Sequence, residues 1–219
     1  MRLYLVQEYD ITIDMPAKPT TRSGENIFTK RREPLHFLLW LGIAGSVLIF
    51  TVLLGIYIVR KVGPNWYETP LPGIFWLSTV VIILSSIILH EAKEAFQKER
   101  FSRYRLFLGI TIFLGMAFVS MQGYGWMHMI DQGFYMRDNP SASFVYLLTG
   151  LHVVHILGGL IFMGVLFWEA TKNKSYIDSF VYSVNPPNRL KIKLMVTYWH
   201  FVDVLWLYLF LFLLYHHNN

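Results

Sequence analysis

Five apolar runs, at about Leu35–Val59, Gly73–Leu89, Leu106–Met127, Phe144–Trp168 and Val196–Tyr215, constrain this chain more than anything else in it. At 1.5 Å of rise per residue, a helix over any of them nears or exceeds the roughly 30 Å hydrocarbon thickness of a bilayer. The second run is the shortest. Inside hydrocarbon every backbone N–H and C=O needs a partner, so a span is a helix or belongs to a closed barrel. A barrel would need many alternating segments of about ten residues, and the sequence has none. The expected fold is therefore an all-α membrane protein, a five-transmembrane-helix bundle over residues 35–217 behind a soluble N-terminal segment over 1–34. With 54% apolar and only 15% charged residues, the chain is too greasy for an ordinary soluble domain.

The charges define an orientation. Of the 19 Lys and Arg residues, all but Arg60, Lys61 and Arg137 fall in the N-terminal segment and in the second and fourth loops. The positive-inside rule then puts the N-terminus inside and the C-terminus outside. The net charge of +5 is thus read as membrane topology, and no nucleic-acid partner is expected. The first 34 residues lack a short apolar core, so the first span is expected to serve as its own uncleaved insertion signal. Leu3, Leu5, Tyr9, Ile11 and Ile13 alternate as in a strand, although a flexible tail is the preferred reading there. Trp40, Trp66, Trp76, Trp126, Trp168 and Trp199 lie near span ends, where headgroups favour amphipathic rings, whereas Trp206 is deep in the last span and is expected to pack between helices. Pro70 with Pro72, and Pro186 with Pro187, read as turns.

Asp203 is the only Asp, Glu, Lys or Arg inside a span. A carboxylate at the centre of a membrane helix costs about 2.5–3.5 kcal/mol on insertion scales, so it should face protein rather than lipid. His200 lies one turn before it, and Trp199, Asp203 and Trp206 share its stripe. In the fourth span His152 and His155 share a face that Gly159 continues, and Gly150, Gly158 and Gly159 should let a neighbouring backbone approach. Histidines on facing helices can hold a haem, with His152 or His155 opposite His200. The preferred reading is that the imidazoles hydrogen-bond across helices, because no second pair is spaced for a second haem. Copper or zinc would want three or four clustered ligands, no metal site is expected, and the absence of cysteine excludes thiolate ligands. Helix rise puts His155 roughly 16 Å from one boundary and Asp203 roughly 10 Å from the other. A structural pair of Asp203 with His155 or His200 is expected, and the polar seam is His152, His155, His200, Asp203, Trp199 and Trp206.

At the basic ends of spans two and three, His90, Lys93, Arg100, Arg103 and Arg105 are candidate contacts for lipid headgroups. A solvated helix extension with an i,i+4 Glu94–Lys98 pair is the competing reading. His216 and His217 read as a solvated tail. No nucleophile elbow, phosphate loop or triad spacing occurs, and no catalytic residue is expected; the profile is that of a subunit.

Tyr198-Trp199-His200-Phe201-Val202-Asp203-Val204-Leu205-Trp206-Leu207 resembles the last-helix signature of subunit III of the haem–copper oxidases, the cytochrome c oxidase family. Gly150-Leu151-His152-Val153-Val154-His155-Ile156-Leu157-Gly158-Gly159 is similar to that family's paired-histidine motif, and Gln122 with Tyr124 and Trp126 resembles the end of the preceding helix. The likeness covers roughly residues 35–217 and matches the short, five-helix form. That form lacks the two helices that close a lipid-filled cleft in longer members. Two departures stand out: the first span has no acidic residue, where many members carry a buried glutamate, and Gly125 stands where relatives often have another.

The resemblance implies a non-catalytic subunit of a respiratory terminal oxidase that supports assembly, lipid binding and sustained proton uptake by the catalytic subunit. It implies no cofactor in this chain, with haem and copper in the partner catalytic subunit and bound phospholipid. Subunits I and II would be its partners, in a multi-subunit complex and even a larger respiratory supercomplex. Its location would be a bacterial cytoplasmic (inner) membrane, with the mitochondrial inner membrane as the alternative. A quinol oxidase subunit III, the nitric oxide reductase accessory protein and a small haem-binding membrane cytochrome are the other readings.

Overall fold

The computed structural model describes residues 32–63, 66–67, 69–137, 139–172 and 175–217, and the alternating positions between Leu3 and Ile13 lie outside them. Among the described residues the chain is helical: α1 (Arg32–Lys61), α2 (Ile74–Gln97), α3 (Phe101–Asp131), α4 (Pro140–Lys172), the short α5 (Tyr176–Val184) and α6 (Pro186–His217). All but α5 are long and apolar enough to cross a membrane.

The helices outrun the apolar stretches because the termini can leave hydrocarbon and still complete their hydrogen bonds. Thus α2 continues through His90–Gln97, where Lys98 and Glu94 make the expected i,i+4 pair. Pro186 and Pro187 do not break the chain as expected but open α6. A first-turn N–H has no intrahelical partner to lose, and the fixed φ of proline already suits a helix. The α2–α3 hairpin turns at Glu99, whose φ of 57° is left-handed. There the Arg100 N–H donates to Ala95 O (2.8 Å) and the Glu99 N–H to Phe96 O (3.2 Å), a Schellman closure that glycine ordinarily serves.

Cross-helix contacts set the arrangement. Gln122 meets Ser78, and Phe96 packs on Phe101, so α2 and α3 are antiparallel neighbours. Trp126 reaches Thr149 while Phe118 packs on His152, placing α4 beside α3. Trp199 and Trp206 of α6 meet Ser85 and Thr79 of α2, and Trp206 also meets His152 of α4. These four helices close a ring around a common core. α1 lies outside it, touching α4 through Ser46 and α6 through Tyr57. α1 and α6 therefore differ sharply in burial: 11% of the most apolar window of α1 is buried, against 50% for α6.

Candidate functional site

The seam is built on the inner stripe of α6. Trp199 is fully buried, and its indole fills a socket between two helices: a Cβ added at Gly159 would lie 3.0 Å from the ring, and one at Gly115 also 3.0 Å. Trp199 is thus a core residue and not the headgroup-level anchor its position near a span end suggested. The glycine expectation is corrected in the same way. Gly159 admits the side chains of Trp199 and Tyr198 rather than a backbone, and Gly150 and Gly158 have only ordinary contacts near them. One turn beyond Asp203, Trp206 packs edge-on to Phe118 at 4.9 Å and lies 5.1 Å from the His152 ring, fully buried between helices as expected.

A feature unread in the sequence holds these rings. α2 carries Ser78-Thr79 and Ser85-Ser86, two hydroxyl pairs seven residues apart and so on one face. Ser78 and Thr79 donate to Phe75 O, and Ser85 donates to Ile82 O. With the proton spent on its own helix, each oxygen is free to accept. Gln122 Nε2 donates to Ser78 Oγ (3.0 Å), Trp206 Nε1 to Thr79 Oγ1 (2.9 Å) and Trp199 Nε1 to Ser85 Oγ (3.0 Å). Bonds of this kind contribute about 0.6 kcal/mol each in a membrane, up to about 1.7. The two indole bonds fix the rotation of α6 against α2, and the Gln122 bond ties α3 to the same face. The seven-residue spacing of the hydroxyls was the signal available in the sequence.

The histidines disperse instead of converging. His155 donates from Nδ1 to Leu151 O (2.9 Å) and meets Ser46 of α1 through Nε2 (3.0 Å), with Phe50 beside it. His152 points into the core against Phe118 and Trp206, and neither of its nitrogens has a partner. His200 shares a 2.6 Å hydrogen bond with Ser86 through Nδ1. The expected pairing of Asp203 with His155 or His200 is therefore not made. Serine hydroxyls from α1 and α2 take both imidazoles, and both Asp203 oxygens are buried without a hydrogen bond. Among the described residues no three His, Asp or Glu side chains gather as metal ligands would. His216 and His217 are not a free tail. His217 contacts Tyr57, and the carbonyl of His216 accepts from Lys61 Nζ (2.7 Å).

The model of the cytochrome c oxidase subunit III family matches residues 62–218, which takes in α2 to α6 and the whole seam. The chain belongs to the cytochrome c oxidase subunit III family. Cytochrome c oxidase subunit 3 of Bacillus subtilis is 27% identical over 213 residues, 94% of each chain. The Synechocystis sp. protein of that name is 28% identical over 176 residues, covering 77% of this chain and 70% of its own. Cytochrome bo(3) ubiquinol oxidase subunit 3 of Buchnera aphidicola is 26% identical over 193 residues, 85% of this chain and 92% of its own.

One departure from the family pattern now has a physical reason. A Cβ at Gly125 would lie 2.5 Å from Phe75 Cε1 and 3.1 Å from Ile74 Cγ2, so the space a glutamate would need is filled by α2. At the opposite, basic end of the bundle, four of the five candidate headgroup contacts divide between two clefts. Lys93 lines one of about 460 Å³ together with Arg189 and Lys193, two cations not anticipated there, and with Phe96 and Ile192. Arg100, Arg103 and Arg105 line another of about 330 Å³ against Tyr176 and Ser179 of α5. Arg105 also donates to Ala170 O (3.4 Å), at the end of α4. His90 is exposed, 3.7 Å from Glu94. Nearby, Glu169 binds Lys191 at 2.8 Å and accepts the Tyr182 hydroxyl. Burial and then that carboxylate drive the Tyr182 phenol far above its ordinary range.

Proposed function

We propose that this chain is the non-catalytic subunit III of a proton-pumping terminal oxidase of the cytochrome c type, seated against a catalytic subunit that holds the haems and copper. The observation that carries this reading is the packing of the seam. The bundle core is filled by Trp199, Trp206 and Phe118, and His155 and His200 are spent on helix contacts, so these groups build a scaffold. The basic end faces the cytoplasm of a bacterial cell from its inner membrane, where Lys93, Arg189, Lys193 and the Arg100–Arg105 group meet phospholipid headgroups. Subunit II completes the complex. The chain supports assembly and sustained proton uptake into its catalytic partner, without a redox centre of its own.

A quinol oxidase subunit III is the second reading, favoured by the likeness to the Buchnera protein, whose name is that of a ubiquinol oxidase subunit. Affinity purification of the tagged chain in mild detergent tests the assignment. A large subunit with haem and copper spectra should co-purify, and its oxidation of cytochrome c or of quinol separates the two readings. A monodisperse chain purified alone would overturn both. Removing the chain from the complex should leave initial oxygen reduction intact but make it decay faster during turnover.

A further inference from the structure

Asp203 is enclosed by this chain's own helices and is only 4% exposed, so no partner subunit reaches it. Neither carboxyl oxygen has a hydrogen bond, and none of the ion pairs among the described residues includes it. From α6, Trp199 and Trp206 turn their N–H groups to Ser85 and Thr79, and His200 turns Nδ1 to Ser86. On α4, His152 lies against Trp206, while His155 turns away to Ser46. Gln122 of α3 is tied to Ser78. An ionised carboxylate held so, with no counter-charge, costs several kcal/mol, and such groups take up a proton instead.

A route to that proton leads out along α2. Ser86 lies on the α2 face that meets α6, where its hydroxyl holds His200 one turn before Asp203, while both Asp203 oxygens are without a hydrogen bond. The His200 ring is half-buried and stands 6.4 Å, centroid to centroid, from the ring of exposed His90. That gap is one a single water bridges. Lys93 follows His90 by three residues on the same helix.

We propose that Asp203 is a proton-binding site of this subunit, loaded from the basic end of the bundle through His90, His200 and Ser86. The step balances without a co-reactant. A proton arriving on Nε2 of His200 releases the proton on Nδ1 to Ser86 Oγ, as the serine's own proton passes to the Asp203 carboxylate. The carboxylate becomes a carboxylic acid, and the imidazole returns to neutrality as its other tautomer. The inference stands on this chain's residues and does not depend on the electron donor or the catalytic partner.

Infrared difference spectroscopy of the full chain, purified with the subunits that accompany it, tests the proposal in H2O and D2O. A carbonyl stretch of a protonated carboxyl should be present, should move on deuteration and should vanish in Asp203→Asn. Should that variant fail to fold, isotopically labelled aspartate in the native chain must shift the same band. Ser86→Ala or His200→Phe should keep the band but slow its deuteration by about 100-fold, the low end of what a positioned proton-transfer group contributes. A band indifferent to both Asp203→Asn and the label would overturn the site. Deuteration at the native rate in both Ser86→Ala and His200→Phe would overturn the route.

Discussion

α1 and α6 are of nearly equal length, 30 and 32 residues, yet the more apolar of the two is the less buried. In a soluble protein the ranking would be reversed, because burial follows apolar area removed from water. In a bilayer, lipid tails solvate leucine and valine as well as a neighbouring helix does, so hydrophobicity supplies no preference for the core. What draws α6 inward is the set of groups lipid cannot serve: two indole N–H donors, a histidine and an aspartate. What admits it is space, at Gly115 and Gly159, for Trp199. α1 has little to satisfy, and its glycines Gly42, Gly45 and Gly55 open onto nothing within 4 Å of a built Cβ.

The contrast can be broken or sharpened by paired substitutions, read by denaturant unfolding of the purified chain in mixed micelles. The largest effect is expected for Trp199→Ala, which empties the socket between α3 and α4 and should cost about 3–5 kcal/mol. Its counterpart Trp40→Ala, on a residue 60% exposed, should stay within about 0.5 kcal/mol. An equal loss from both would mean that α1 is held by packing after all. Next come the glycines. Gly159→Val forces a branched side chain against Trp199 and should destabilise by about 1–3 kcal/mol. Gly45→Ala meets nothing and should be neutral or stabilising by up to about 1 kcal/mol through helix propensity. The opposite signs are the point of the pair. The smallest loss belongs to Thr79→Val, which removes the acceptor for Trp206 at a cost of about 0.6–1.7 kcal/mol. A Trp206 fluorescence unchanged in that variant would argue against the Thr79 bond.

Much of the architecture was legible before any coordinates. The five spans, the inward-facing Asp203 and the burial of Trp206 all follow from the cost of placing polar groups in hydrocarbon. Those costs are charged residue by residue along the chain. The helix α5 was missed although Ile177, Phe180, Val181 and Val184 recur at helical spacing, because its nine residues are too few for a span and lie in a charged loop. The proline pair was misread because Pro signals both a turn and a helix start. The pairing of Asp203 with a histidine failed for another reason. His155 and His200 lie at suitable depths, but depth leaves rotation about the helix axis open, and serines on α1 and α2 held the nearer positions.

The chain by itself therefore determined how many helices are long and apolar enough to cross a membrane, which residues should turn from lipid and which end is basic. Each of these is a local consequence of the bilayer acting as solvent. Only the tertiary structure decided that Trp199 enters a glycine socket, that the α2 hydroxyls receive the indoles, and that Asp203 is left with no partner. Those outcomes depend on which helices are neighbours and how each is rotated. An apolar solvent does not select between such rotations, so shape and a few hydrogen bonds did.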